Sequence, residues 1–355
     1  MFTLRFAVLF GLLTVIVLAG CSSTRPPSSA FPGLYSTTTG LQNLLPEFSR
    51  SRSLFDDFTV LSYRKIAGCD ADTSYAINLE WDGLKSIPHA FAYGMPGCVR
   101  LTKDGLGIDE AEVPNIEWKR YQQRLAAANG NVAATQLALI ALPVPDYFTN
   151  PFYDYYPVVG VSYEQAAAFC NWRGQVITSA VNSSKPGSPD NLAAEHVVVE
   201  CRLPTEAEWE RAALAGRALP YGTRCPEAPL TVNPKAAAYL KQRSGSGEAE
   251  AKIKADIAAY NRRAPVRSFI NHEQPEPYFL RLATPGYVFQ GPPNDNRIYQ
   301  LLGNVAEMVQ ESVTKGGSYR DPLSACTITA RGRYAGPAPT VGFRCVTRAT
   351  LPNQR

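Results

Sequence analysis

The sequence predicts a loop-rich α+β fold rather than a helical bundle or a disordered chain. Its 355 residues include 28 Pro and 26 Gly, which interrupt helices and favour turns. Hydrophobic residues make up 45% and charged residues 19%, a balance that supports a folded core. Two helix-start motifs lie in the middle of the chain, and glycine-punctuated strands occupy its last third. The length is sufficient for one large domain or two ordinary ones.

The beginning of the chain is typical of an export signal. One positive charge lies in residues 1–5, and residues 6–18 are almost wholly apolar, a run that is short for a membrane-spanning helix. The following Leu-Ala-Gly-Cys, which ends at Cys21, resembles the lipobox of bacterial lipoproteins. We therefore predict a signal peptide over residues 1–20 and lipid attachment at Cys21. An ordinary signal peptide that ends near a cysteine is the alternative.

The lipid is predicted to carry the folded domain on a tether. Residues 21–50 form this tether and begin with a stretch rich in Ser and Pro, and we place the domain at residues 51–350. No later stretch is long and apolar enough to span a bilayer. We therefore expect the domain to lie beside a membrane.

The middle of the chain predicts a helix and then a short strand. Residues 113–126 have the apolar spacing of a helix, with Asn115 as a candidate N-cap. After an aromatic loop, the apolar run at residues 157–162 is predicted to form a strand.

Two capping boxes predict further helix starts. In this motif the first and fourth side chains each accept a hydrogen bond from the other residue's backbone N–H. Ser162 with Gln165 predicts a helix over residues 163–172. Thr205 with Glu208 predicts a second helix within the segment RLPTEAEWERAA.

Two segments are predicted to be insertions, at residues 174–201 and 223–265. The first has mixed composition and contains SSKPGSPDN. The second contains a Lys/Glu/Ala-rich stretch at residues 235–262, which predicts an exposed helix. The inner face of that helix would carry Ile253, Ile257 and Tyr260.

Composition excludes several functions. A net charge of +4 is too small and too scattered to indicate a nucleic-acid partner. The chain has three His and no HExxH motif, so a histidine-built metal centre is not expected. After Cys21, seven cysteines remain and none forms a CxxC motif, which argues against thioredoxin chemistry and a zinc ribbon. Because seven is odd, at least one thiol stays free or pairs with another molecule.

Four motifs in a fixed order carry a family resemblance. They are PVVGVS at 157–162, RLPTEAEWE at 202–210, GNVAE at 303–307, and GGSY at 316–319 followed by GFRC at 342–345. Each is weak alone, but the ordered set resembles the sulfatase-modifying factor, or formylglycine-generating enzyme, family over roughly residues 85–350. The resemblance implies a variant of the C-type lectin fold, which is poor in regular secondary structure.

The resemblance implies structural roles for most of these residues. Arg202, Glu206 and Glu208 are expected to form a buried polar network that organises long loops. Trp172 and Trp209 are expected to fill the core between them.

The oxidase chemistry of this family requires two thiols about five residues apart after the GGSY turn, which bind one Cu(I). Cys326 falls at the second thiol position, whereas Asp321 occupies the first. Thiolates suit Cu(I), and a carboxylate prefers harder cations. The family's dithiol therefore cannot form here.

Other family active-site positions also differ. Ala306 replaces a tryptophan, and Thr340 replaces the asparagine before GFRC. Ser318 is retained, but serine is a common turn residue. We therefore expect no catalytic residues and no enzymatic activity of this type.

The resemblance also implies a disulfide between Cys170 and Cys345. Further connectivity stays open, with Cys69–Cys98 and Cys201–Cys225 as candidate pairs and Cys326 as the thiol left over.

A structural calcium ion is a further implication, with no other cofactor expected. Gln300, the carbonyls of Gly303 and Val305, and Glu307 fall on a calcium site of the family, and oxygen ligands suit this ion. The alternative is that Glu307 only forms hydrogen bonds within a turn.

Two segments are also similar to gliding-motility and type IX secretion lipoproteins of Bacteroidetes. These are YPVVGVSYEQAAAFCNWRG at 156–174 and PNDNRIYQLLGNVAEMV at 293–309. That similarity implies a scaffold on the periplasmic face of the outer membrane, built with periplasmic protein partners, as a multimeric ring. The residues after Cys21 include no acidic cluster of the kind linked to surface export. A copper-dependent oxidase and a peptide- or glycan-binding module are the alternatives.

Overall fold

The computed structural model describes residues 36, 38–39, 61–63, 95–182, 197–214, 227–228, 230–232, 247–263, 267–268, 270–273, 283–289 and 293–350. The predicted signal peptide and Cys21 lie outside the described residues, as do Cys69 and Cys225. Within the described part, no helix combines the length and apolarity needed to cross a bilayer.

Helices are few and separated by long loops. The α-helices of the described residues are α1 (Asn115–Ala127), α2 (Tyr163–Asn182), α3 (Glu206–Leu214) and α4 (Glu248–Arg263). Short 3₁₀ turns lie at Val132–Thr135, Leu139–Ala141, Pro151–Tyr153 and Leu323–Ala325. The high content of proline and glycine is consistent with this loop-rich architecture.

Helix α1 confirms the predicted helix, but the predicted N-cap is wrong. Pro114 takes the cap position in an extended conformation, and Asn115 is the first helical residue. The side-chain amide of Asn115 donates a hydrogen bond to the carbonyl of Tyr153 at 2.9 Å. Asn115 therefore attaches α1 to the aromatic loop instead of capping the helix.

Both predicted capping boxes are confirmed. The backbone N–H of Ser162 donates to Oε1 of Gln165 at 2.8 Å, and that of Gln165 donates to Oγ of Ser162 at 3.2 Å. The backbone N–H of Thr205 donates to Oε2 of Glu208 at 2.8 Å, with the reciprocal bond to Oγ1 at 3.2 Å. These bonds satisfy backbone donors that the first helical turn leaves unpaired.

Helix α2 continues to Asn182 instead of ending near Trp172. Its apolar face also continues, because Ile177 and Val181 are buried. The segment 174–201, which was predicted to be an insertion, thus supplies the end of α2 and most of a strand.

Across the described ranges, the strands form two four-stranded sheets and two small ribbons. Sheet A has the order β2 (Cys98–Arg100), β3 (Gly107–Asp109), β12 (Val346–Thr350), β4 (Val198–Arg202) and is antiparallel. Sheet B has the order β10 (Arg331–Arg333), β9 (Val313–Lys315), β8 (Ala306–Met308), β11 (Val341–Gly342), with β8 and β11 parallel. The ribbons pair β1 (Leu61–Tyr63) with β6 (Leu230–Val232), and β5 (Glu227–Ala228) with β7 (Arg267–Ser268).

Helix α2 covers the outer edge of sheet A. Because β4 is the last strand, alternate backbone groups point away from the sheet. Oγ1 of Thr178 accepts from Val199 N at 2.8 Å, and the Asn182 amide binds both N and O of Val197, at 3.1 and 2.8 Å. One turn earlier, a Cβ at Gly174 would lie 2.7 Å from Val199 O. Successive turns of the helix thus replace the missing neighbouring strand.

The strand predicted at residues 157–162 is wrong. These residues are mostly buried, but with the described residues they form only one regular pairing, the antiparallel bridge between Pro114 and Pro157. Pro157 has no N–H to donate, and Gly160 has a φ of +75°, which interrupts extended backbone.

Aromatic residues and the predicted disulfide organise the first of two large apolar clusters. This cluster contains Trp118, Phe169 and Phe343, together with Cys170 and Cys345. The Cys170–Cys345 disulfide is confirmed and joins α2 to the residue before β12, with Cα atoms 6.1 Å apart.

The second cluster lies around Trp209, with Ile108, Leu301 and Cys326. Trp172 is only partly buried and packs against the first cluster. The expectation that Trp172 and Trp209 fill one core together is therefore wrong.

Helix α4 lies within the predicted Lys/Glu/Ala-rich helix but starts later, at Glu248. Ile257 is buried, which confirms that residue of the expected inner face. The side chains of Ile253 and Tyr260 lie outside the described part.

Candidate functional site

The GGSY turn packs directly onto Cys326. Gly316 and Gly317 have φ values of +85° and +68°, which side chains rarely adopt. A Cβ at Gly317 would lie 2.8 Å from Cys326 Sγ, and one at Gly316 would lie 2.3 Å from Leu301 O. Both glycines are therefore required by conformation and by space.

The retained serine is engaged with the residue that replaces a thiol. Ser318 Oγ donates to Asp321 Oδ2 at 2.6 Å and accepts from the backbone N–H of Arg320 at 3.3 Å. The backbone N–H of Asp321 donates a hydrogen bond to the carbonyl of Ser318 at 3.0 Å. Ser318 and Asp321 thus close a tight turn, in agreement with a turn role for this serine.

Cys326 is enclosed beneath the GGSY turn. It is completely buried, and its Sγ lies 3.7 Å from the carbonyl of Ser318. Burial, with a smaller contribution from Asp321, raises the pKa of the Cys326 thiol to about 12. A thiol with such a high pKa carries almost no thiolate near neutral pH, and thiolate is the form that attacks and binds metals.

The other two altered family positions form a separate pair. The backbone N–H of Ala306 donates to the carbonyl of Thr340 at 2.8 Å, beside the parallel pairing of β8 and β11. Ala306 lies in the first apolar cluster, whereas Cys326 lies in the second. The structure therefore brings together Ser318, Asp321 and Cys326, and separately Ala306 and Thr340.

The carboxylate of Glu307, which was predicted to bind calcium, is bound by the buried guanidinium of Arg344. Nε and Nη2 of Arg344 donate to Oε2 and Oε1 of Glu307, both at 2.6 Å. The indole N–H of Trp209 donates to the same Oε2 at 2.8 Å. The guanidinium also donates to the carbonyls of Asp109 and Tyr299, each at 2.9 Å. Glu307 and Arg344 are both fully buried.

This ion pair argues against a calcium ion on Glu307. A guanidinium bound to both carboxylate oxygens would repel a nearby dication. Gln300 donates its amide to the carbonyl of Tyr287 at 3.4 Å. The residues present therefore do not fit calcium on Gln300, Gly303, Val305 and Glu307, and Arg344 supplies the positive charge.

Glu112 is a buried acid that the sequence analysis missed. It is 1% exposed, and its Oε1 accepts from Asn304 Nδ2 at 3.0 Å. Its Oε2 has no hydrogen-bond partner among the residues that the structure describes. Burial, reinforced by Glu307, raises the pKa of Glu112 well above its usual range. The acidic run DEAEV resembles an exposed segment, so the sequence contains no signal for this burial.

The expected polar network around RLPTEAEWE is divided into two parts. Arg202 binds Glu208 through two hydrogen bonds of 2.8 Å. Glu206 instead pairs with Lys315 at 3.1 Å and with Arg331 at 3.0 Å. These carboxylates are partly exposed, so the expectation of one buried network is wrong.

A group of four cysteines forms a thiol cluster, which consists of Cys98, Cys201 and the Cys170–Cys345 disulfide. The sulfurs of Cys170, Cys201 and Cys345 all lie within 4.8 Å of one another. Cys98 and Cys201 are free buried thiols, so the candidate pairs Cys69–Cys98 and Cys201–Cys225 are wrong. Cys326 is also free, as expected for the thiol left over.

An open groove of about 610 Å³ runs between α2 and β4. Its lining is mostly polar and includes Asn171, Gln175 and Ser179 from the helix and Glu200 and Cys201 from the strand.

The fold and site define a class: a loop-rich lectin-like domain in which a glycine turn covers a buried cysteine and holds Asp321 at the position of a second thiol. A family model described as "Sulfatase-modifying factor enzyme 1-like domain" matches residues 99–349, and the chain belongs to this family. The family includes both catalytic and non-catalytic members. A comparison with curated proteins gave no match.

Solved structures with similar folds include three proteins of low sequence identity. Treponema denticola variable protein 1 is 18% identical, with 74% of this chain and 91% of that chain covered and a TM-score of 0.36. PvdO from Pseudomonas aeruginosa is 16% identical, with 68% and 80% covered and a TM-score of 0.40. CarF is 18% identical, with 68% and 86% covered and a TM-score of 0.37.

Proposed function

We propose that the protein is a non-catalytic lipoprotein that acts as a scaffold or assembly component of a gliding-motility or type IX secretion machine. The hydrogen bond of 2.6 Å between Ser318 and Asp321 is the main support for a non-catalytic role. It places a carboxylate in the turn where the oxidase needs a thiol. Cys326, which would be the remaining thiol, is buried beneath the same turn.

A lipid on Cys21 would hold the domain at the periplasmic face of the outer membrane. The LAGC sequence and the Ser/Pro-rich tether support this location. The similarity of residues 156–174 and 293–309 to Bacteroidetes lipoproteins supports periplasmic partner proteins and a ring-like assembly.

Replacement of the lipid-bearing cysteine tests the location. Cys21→Ser should leave a soluble protein or an uncleaved precursor, because no other anchor is predicted. Metabolic labelling with a fatty-acid analogue should mark the wild type and not the mutant. Label retained on the mutant would contradict the proposal.

Crosslinking in intact host cells tests the scaffold role. Co-purification of the crosslinked wild type should recover secretion or motility proteins of the outer envelope, and Cys21→Ser should lose them. Cys326→Ser is the matched control and should retain them, because Cys326 is buried and assigned no chemical role. Loss of partners in the control variant would favour chemistry at Cys326.

A peptide- or glycan-binding module is the second candidate, and the groove between α2 and β4 favours it. The amide and hydroxyl groups that line the groove are typical of peptide and sugar recognition. Gln175→Ala with Asn171→Ala should weaken ligand capture under this alternative and leave the crosslinked assembly unchanged under the first proposal.

A further inference from the structure

The thiol cluster combines a disulfide with a third sulfur that is close enough to exchange with it. The Sγ atoms of Cys170, Cys201 and Cys345 all lie within 4.8 Å of one another. Exchange requires a free thiol close to a disulfide, and Cys201 is free. The described part of the chain holds its other free thiols at Cys98 and Cys326.

The fold keeps the third sulfur in place. Cys201 lies on β4, directly opposite Thr347 of β12, and Cys345 immediately precedes β12. Cys170 lies on α2, whose Gly174 packs against the backbone of Cys201. Cys170 and Cys201 thus lie on a helix and a strand that pack together, and Cys345 lies just before the strand that pairs with β4.

Polar groups around Cys201 can stabilise a transient charge. Thr347 Oγ1 donates to Cys201 Sγ at 3.5 Å, and Cys98 Sγ donates to the same hydroxyl at 3.7 Å. Arg173 is fully buried, and its Nη2 lies 3.3 Å from Cys98 Sγ. Its Nη1 binds Asp109 at 2.6 Å.

We propose that Cys201 exchanges with the Cys170–Cys345 disulfide, so that the protein has two or more interconvertible disulfide isomers. The thiolate sulfur of Cys201 attacks one sulfur of the disulfide and forms the new S–S bond. The old S–S bond breaks, and the released cysteine leaves as a thiolate that takes up the proton lost by Cys201. No electrons are gained or lost overall, so no oxidant or reductant is needed.

Exchange is slow near neutral pH and faster in alkali. Burial raises the pKa of Cys201 to about 11, which the cation of Arg173 and, more weakly, that of Arg202 oppose. The negative charge of Asp109 disfavours a thiolate at Cys201, and thiolates at Cys98 and Cys201 disfavour each other. Below that pKa the thiolate fraction, and with it the exchange rate, rises about tenfold per pH unit.

The groove between α2 and β4 gives external reagents a route to the thiol cluster. Cys201 lines this groove, whereas Cys170 and Cys345 are completely buried. A small external disulfide therefore reaches the free thiol of Cys201 before an external thiol reaches either sulfur of the cross-link.

Peptide mapping tests the exchange in the full-length protein. Samples kept without reductant at about pH 7 and about pH 10 are quenched with acid, alkylated and digested with pepsin. The expected result is a peptide that links Cys201 to Cys170 or Cys345, which appears faster at the higher pH. Its rate should not depend on protein concentration, should be lost in Cys201→Ser, and should persist in Cys326→Ser.

Three outcomes would overturn the proposal. In the first, Cys170–Cys345 is the sole cross-link within the thiol cluster at both pH values. In the second, exchange persists in Cys201→Ser. In the third, the exchange rate rises with protein concentration. Cys345→Ser provides a second test, with oxidised glutathione as the oxidant and its reduced form as the product. A Cys170–Cys201 cross-link is expected, and two separate glutathione adducts would contradict it. If this variant does not fold, the wild-type map decides alone.

Discussion

Cys326 and the thiol cluster are two buried cysteine regions with opposite chemical character. Cys326 lies under the GGSY turn and has Asp321 as its main charged neighbour. Cys201 is also buried, although it lines the groove between α2 and β4, and it has a disulfide within 4.8 Å and feels the charge of Arg173. Burial raises both thiol pKa values, so burial alone does not distinguish them. The neighbouring sulfurs decide which cysteine can react.

The largest expected difference between the regions is in stability. The Cys170–Cys345 bond joins residues 175 apart, and closing so long a loop contributes about 5 kcal/mol in the chain-entropy model. Denaturant unfolding of Cys345→Ser in a Cys201→Ser background should show that loss relative to Cys201→Ser alone. The second substitution prevents a substitute bond. Cys326→Ser should cost far less, and equal costs would contradict the comparison.

A smaller loss of stability is expected when a methyl group is added where the turn contacts Cys326. Gly317→Ala should reduce the free energy of unfolding by about 2 kcal/mol, because it adds a Cβ at positive φ and against Sγ. Adding Cys326→Ala should recover the part of the loss that comes from Sγ. It should leave the parts that come from φ and from the carbonyl of Ala325, which would lie 2.9 Å from the added Cβ. A double-mutant cycle measures this coupling, and strictly additive losses would argue against contact between the turn and Cys326.

Alkaline pH should destabilise the protein through Cys326 by a smaller amount. The folded pKa of about 12 is raised from the ordinary value of 9.0, so the thiol's contribution is complete below about 9. It is then lost progressively as the pH rises towards 12. Between about pH 8 and 10 the loss is about 1 kcal/mol by linkage. Cys326→Ala should show a correspondingly weaker pH dependence in denaturant titrations, and an unchanged slope would contradict this assignment.

The smallest expected change is in catalysis, where we predict none. The wild type should not convert a substrate cysteine to formylglycine, with or without added copper, since Asp321 and Cys326 form no dithiol. Mass spectrometry of a cysteine peptide measures the conversion. Asp321→Cys supplies the missing thiol and tests whether its absence alone prevents the conversion. Conversion by the wild type would overturn the scaffold proposal.

Local signals in the sequence determined the starts of α2 and α3, and the family. A capping box involves residues three apart, so its geometry is largely local, and both predicted boxes formed. The Cys170–Cys345 bond also followed from the sequence, through motifs shared with the family. The absence of a thiol pair is visible in the identities of Asp321 and Cys326 alone.

Only the tertiary structure decided which polar residues are buried and what they contact. Nothing local shows that Glu112 is buried, together with Asp109 and Glu110 of the same run, or that its pKa is raised. The pairing of Arg344 with Glu307, and the approach of Cys201 to the disulfide, join residues far apart in the chain. Such contacts depend on how sheet A, sheet B and α2 pack. Their energies come from desolvation and proximity, which no short segment of sequence contains.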